Sequence, residues 1–281
     1  MRINVNNPVL VKEVKLRFRS LKSFTGILFY LIAMSIFVFG FIFLTTSFSG
    51  TGFFRPEQSF LLFGLLTFIQ LGLILFITPG LTAGTISTER EKQTLNILLT
   101  TSQSSMQIIL GKLSSSIAFL VLLLIAGLPI YSLVFLFGGI SPGQLGMIFL
   151  FFLLTTITVG SIGVMFSTIT RKTIVSMIAT YGTMIFIAGV TAFFFMISIQ
   201  VNMMGTGITT NPLPLGYFWA SINPAILIFT LLNPGTESMV GSVTHINFPV
   251  WAAYTIFYIL LAVTAIAISI KNLRVNMKRS K

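Results

Sequence analysis

The sequence predicts an all-α integral membrane protein of six transmembrane helices with both termini cytoplasmic. Three observations carry this expectation. Of 281 residues, 55% are hydrophobic and only 8% are charged, whereas soluble domains carry about 25% charged residues. Six apolar stretches are each long enough to cross a bilayer, which takes about 20 residues. The basic residues that give a formal net charge of +12 fall on alternate connections, as cytoplasmic loops do.

The apolar cores lie at 26–48, 59–82, 115–138, 144–168, 173–199 and 248–270, and none contains Asp, Glu, Lys, Arg or His. Arg2, Lys12, Lys15, Arg17, Arg19 and Lys22 precede the first. Arg90, Lys92 and Lys112 lie between the second and third, and Arg171 and Lys172 between the fourth and fifth. Lys271, Arg274, Lys278, Arg279 and Lys281 follow the sixth, leaving only Arg55 on the other side. Topology therefore accounts for the charge, and the nucleic acid that +12 would suggest in a soluble chain is not expected as a partner.

Residues 1–25 read as a basic amphipathic helix. Asn7 and Pro8 suit its start. Leu10, Val11, Val14, Phe18 and Leu21 form one stripe, opposite Lys12, Lys15, Arg19 and Lys22. Such a helix lies in the membrane interface with its basic face on anionic lipid headgroups, or else packs on the protein's own surface. A signal peptide is not expected, because the apolar run is too long and lacks a cleavage pattern.

The connection at 200–247 has no Lys or Arg and is punctuated by Pro212, Pro214, Pro224 and Pro234. Its apolar run between Pro224 and Asn233 is too short to span and suits a re-entrant or interfacial segment of an extracytoplasmic cap. Gly160, Gly163 and Ser167 are small residues of the kind that let two membrane helices approach closely.

The chemical inventory is sparse. There is no cysteine, no aspartate and one histidine, His245. Uncharged spans argue against an ion-coupled carrier, and the missing groups disfavour proteolysis and metal hydrolysis. No enzymatic activity, cofactor or metal site is expected in this chain. Leu110-Gly111-Lys112-Leu113 resembles a phosphate loop only faintly, since Met106 stands at the earlier glycine position and Leu113 replaces Ser/Thr. Lys112 reads instead as an interfacial anchor, and any energy source must come from another chain.

The charged segment Thr85 to Leu99 stands out within this inventory. Thr88-Glu89-Arg90-Glu91 matches a capping box with Thr88 as cap and Glu91 reaching back. On a helical wheel Leu95, Leu98 and Leu99 form one stripe, with Glu89, Lys92, Gln93 and Asn96 opposite. Two readings fit: a structural interfacial helix with a solvated face, or a handle on which a partner docks.

Asn7-Pro8-Val9-Leu10 with Lys12-Glu13, the segment Ala83 to Glu91, Thr94-Leu95, Leu98-Leu99-Thr100 and Leu110-Gly111-Lys112 together resemble the type-2 ABC transporter permeases. The resemblance covers the N-terminal half; the later spans match in number, length and orientation. Gln93 departs from a frequent Gly, Asn96 from an acid and Ser102 from a Pro. The resemblance implies the membrane subunit of an ABC exporter in the cell membrane, paired with a second permease copy or paralogue and with two cytoplasmic ATPase subunits that bind ATP and Mg. The loop at 83–105 would hold the coupling helix, with Glu89, Arg90, Glu91, Lys92, Gln93 and Asn96 as ATPase-coupling residues. Spans two and five would face the translocation path, with Thr67, Gln70, Thr180, Tyr181 and Thr183 as polar candidates. The apolar interior tilts the expected cargo towards lipid-like, peptide or drug-like molecules. The alternative is a non-transporting scaffold or sensor that recruits an ATPase; it would show no ATPase stimulation by a substrate.

Overall fold

The computed structural model describes residues 8–19, 21–48, 56–95, 103–135, 138, 140–204, 214–244 and 246–279. Asn96, Leu98, Leu99, Ser102 and His245 lie outside them. Among the described residues the structure is helical without strands. Six helical stretches are long and apolar enough to cross a membrane: Phe24–Ser47, Pro56–Glu91, Ser105–Phe135, Pro142–Ile169, Thr173–Val201 and Val250–Leu273. The chain is an all-α, multi-pass membrane protein.

The helices in order are α1 (Pro8–Phe18), α2 (Leu21–Phe48), α3 (Pro56–Thr82), α4 (Ser87–Glu91), α5 (Ser105–Phe135), α6 (Pro142–Ile169), α7 (Thr173–Ile185), α8 (Thr191–Met204), α9 (Pro214–Ile222), α10 (Pro224–Leu232), α11 (Pro234–Thr244) and α12 (Val250–Arg279). A single π turn, Phe186–Val190, joins α7 to α8. The third spanning helix starts at Ser105, well before its apolar core, so Lys112 lies inside it.

Helix α6 is the axis of the bundle. It packs against α12, α3, α7 and α5, and its most apolar stretch is 67% buried, against 17% for α2 and 22% for the α7–α8 span. Its small residues explain the closest approach. A Cβ on Gly163 would overlap the Thr82 hydroxyl and lie 3.0 Å from Thr82 Cβ and 3.3 Å from the Ala83 amide nitrogen. A Cβ on Gly160 would meet Leu113 at 3.3 Å and only touch Thr82 and Thr78, at 3.5 and 3.7 Å.

Large side chains fill the rest. One apolar cluster joins α2, α3, α5, α6 and α10 through Met34, Phe63, Tyr131, Phe152 and Leu232. A second joins α6, α7, α10 and α12 through Val159, Met184, Leu227, Tyr254 and Tyr258. A third sits at the end that holds α4, where Ile86, Leu95, Ile108, Leu113 and Leu273 meet.

At the opposite end, α9 and α10 are bent by 89° about Asn223. Asn223 is fully buried. Its Oδ1 accepts the Ala225 and Ile226 amides at 2.8 and 3.1 Å, starting α10, while its Nδ2 donates to the Ala188 carbonyl at 2.7 Å and to Thr191 Oγ1 at 2.8 Å. A π turn leaves backbone carbonyls without their regular helical partner, and Asn223 takes up one of them.

Candidate functional site

The connection after α3 turns through residues 83–86 into the five-residue helix α4. The expected capping box does not form. The residue before the helix is Ile86, and no side chain of the connection caps it. The acceptor comes from another helix: Ser167 Oγ on α6 accepts the Ile86 and Ser87 amides, both at 2.9 Å. Thr88 lies inside the helix, its amide already bonded to the Gly84 carbonyl and its hydroxyl 3.2 Å from that of Thr173. With the helix start satisfied from α6, Glu91 is free to reach forward instead of back.

Three consecutive charged residues then engage three different spanning helices. Glu89 Oε1 is 2.6 Å from Lys112 Nζ on α5. Arg90 donates to the Thr170 carbonyl at 2.6 Å and to the Thr168 carbonyl at 3.0 Å, at the C-terminal end of α6, where a cation complements the helix dipole. Glu91 accepts the Thr173 amide at 2.8 Å and the Thr173 hydroxyl at 2.9 Å. It thereby caps α7, whose preceding residue Lys172 offers no side-chain cap.

Lys112 is more than the expected interfacial anchor. Its side chain is only 4% exposed and pairs with Glu13 on α1 at 2.7 Å as well as with Glu89. Ser115 donates to the second oxygen of Glu13 at 3.0 Å. The lysine stands where burial would otherwise be prohibitive for an ammonium group, and two carboxylates offset that penalty. Glu89 Oε2 is buried and has no hydrogen-bond partner, and with two carboxylates to one ammonium group the trio carries one formal negative charge in excess. Through Lys112, the N-terminal helix, the connection and α5 are one joint.

Lys92, Gln93 and Thr94 are left exposed at the tip. Gln93 is the single non-glycine residue among those described with positive φ, at 58°. The Gln93 amide donates to the Arg90 carbonyl at 3.1 Å and the Thr94 amide to the Glu89 carbonyl at 2.9 Å. This is the Schellman ending of a helix, whose left-handed position favours Gly. The departure of Gln93 from the Gly frequent in the resembled family thus falls where a Gly would relieve strain. Gln93→Gly is expected to stabilise the protein by about 1 kcal/mol, read as a higher unfolding midpoint in detergent. Leu95 turns inward, 5% exposed, onto Ile108, Ile109 and Leu113.

The polar candidates on spans two and five do not converge. Thr67 is buried and donates to the Phe63 carbonyl of its own helix at 2.7 Å. Gln70 lies towards α2, where its Oε1 accepts the Tyr30 hydroxyl at 2.6 Å, and its buried Nε2 has no partner. Thr180 and Thr183 bond carbonyls of their own helix, those of Ser176 and Ala179, at 2.7 and 2.8 Å. Tyr181 alone links the two spans, donating to the Phe76 carbonyl at 2.9 Å.

Neither a known protein family nor a curated protein matches the chain. Among the described residues, no group of three or more acids or histidines comes together as a metal site. Sequence reasoning named Glu13, Lys112 and Ser167 without seeing these roles, and missed Ser115 and Thr173. One signal was available for the first two: Glu13 is an acid within a basic helix, and Lys112 a lone charge at the head of an apolar run.

Proposed function

We propose that the chain is the permease subunit of an ATP-driven ABC exporter, with both termini cytoplasmic and α4 as the helix on which an ATPase subunit pushes. The observation that carries this reading is the triple attachment of α4 to Lys112 on α5, to the end of α6 and to the start of α7. A short helix so held transmits a displacement to three spanning helices at once instead of swinging freely. The sparse chemistry of the spans and the resemblance of residues 7–13 and 83–112 to type-2 permeases support the same reading. A second permease copy or paralogue completes the assembly, and ATP and Mg bind in the ATPase chains.

The contact falls on the exposed tip, Lys92 and Gln93, because Glu89, Arg90 and Glu91 are occupied within the chain and Leu95 faces its interior. Lys92→Glu tests this without disturbing the joint. Reconstituted with its ATPase, the variant is expected to bind that subunit roughly tenfold more weakly, the loss that about 1.4 kcal/mol at one interface charge gives. ATP-driven transport falls with it, while insertion and unfolding midpoint stay as in the parent. Undiminished ATPase binding and transport would overturn the docking claim.

A further inference from the structure

At the end of the bundle away from α4, a cavity of about 400 Å³ opens between α3, α8, α10 and α11. Phe68, Ala192, Met196, Ala225, Phe229 and Met239 are among its walls. Thr236 is the single lining residue with a polar side chain. The volume is in the range of small-ligand sites, roughly 300–1,000 Å³.

The π turn and the 89° bend build this space. Asn223 fixes α10 against the π turn that begins α8, and both helices place an alanine, Ala192 and Ala225, where they converge. Small side chains at the meeting point leave room that the flanking Phe and Met residues surround.

We propose that this cavity holds the hydrocarbon tail of a bilayer lipid, admitted sideways from the membrane. Three arguments select that occupant. Water needs two to four polar partners to be held in a cavity, and one threonine hydroxyl does not supply them. An extended peptide would bring amide and carbonyl groups that nothing here satisfies, and a helix, about 10 Å across, is too wide for the space. The rim is open at the depth of two spanning helices: Phe68 and Met196 are each more than a third exposed, in stretches long and apolar enough to cross the membrane, and Phe229 and Met239, on the shorter α10 and α11, are exposed beside them. What reaches that mouth is lipid chain. This inference needs only a bilayer around the bundle and is independent of the exporter reading.

The test uses the full chain in lipid nanodiscs containing phosphatidylcholine with a photoactivatable diazirine near the end of one acyl chain. After irradiation, labelled peptides are identified by mass spectrometry. Labelling is expected to concentrate on the segments around Met196, Phe229 and Met239, roughly tenfold above the exposed lipid-facing segment of α2 around Phe39 and Phe43. Ala192→Trp, which fills the cavity, should remove that excess and leave the α2 labelling unchanged. If Ala192→Trp does not fold, Met196→Trp decides, because position 196 is exposed and the ring closes the mouth from outside. Equal labelling of the cavity and of α2 in the parent would overturn the proposal. So would an excess that persists in a folded tryptophan variant. Neither result bears on whether an ATPase drives the protein.

Discussion

Replacing Lys112 with Met is expected to cost about 3 kcal/mol of stability, the low end for breaking a buried ion pair. Glu13 and Glu89 would lose their shared cation at 2.7 and 2.6 Å. Their side chains are 26% and 28% exposed, so part of the penalty is relieved by water, which is why the low end applies. The control separates charge from packing. In the triple variant Glu13→Gln, Glu89→Gln, Lys112→Met no charge is left unpaired, and most of the loss should be recovered, since a buried ionic group can be replaced by neutral side chains at little net cost. Unfolding in detergent micelles reads both, and limited proteolysis near residue 19 reports whether α1 has detached. A Lys112→Met variant within about 0.5 kcal/mol of the parent, the range of an ordinary surface change, would show that the trio does not hold the joint.

Gly163→Ala is expected to cost about 2–3 kcal/mol, the upper range for inserting a methyl group into a packed core. The new Cβ overlaps the Thr82 hydroxyl, and moving that hydroxyl is not enough. Thr82 Cβ at 3.0 Å and the Ala83 amide at 3.3 Å remain in the way. Adding Thr82→Ala should therefore restore only part of the loss, a coupling that a double-mutant cycle measures. Gly182→Ala supplies the internal comparison, because nothing lies within 4 Å of a Cβ there. Helix propensity makes that change neutral or stabilising by up to roughly 1 kcal/mol. Equal effects at the two positions would remove the close α3–α6 approach as the explanation.

The spans were legible in the sequence because each is specified by its own residues. A run of apolar side chains needs no distant partner to declare itself, and each of the six expected cores coincides over most of its length with one of the six long helices, the cores at 115–138 and 248–270 overrunning helices that end at Phe135 and begin at Val250. The apolar run between Pro224 and Asn233 likewise forms a helix too short to span, α10, and small residues at 160 and 163 announced a close helix contact. The charged joint was different. Glu13 meets Lys112, Arg90 meets Thr168 and Thr170, and Glu91 meets Thr173, each across a separation that no local pattern encodes. The capping signature at Thr88 failed for the same reason. A local rule assumes that the nearest acceptor serves the helix start, and here Ser167, eighty residues away in the chain, serves it first.

The three-helix attachment of α4 has a consequence for anyone who exchanges parts between proteins of this kind. Residues 83–104 look like a portable module, short and bounded by two spans. They are one half of a lock whose other half is spread over α1, α5, α6 and α7, in Glu13, Lys112, Ser167 and Thr173. A chimera that transplants the connection alone brings Glu89, Arg90 and Glu91 to a recipient lacking their receptors. Carrying those four distant positions across with it is the smallest graft that keeps the joint whole.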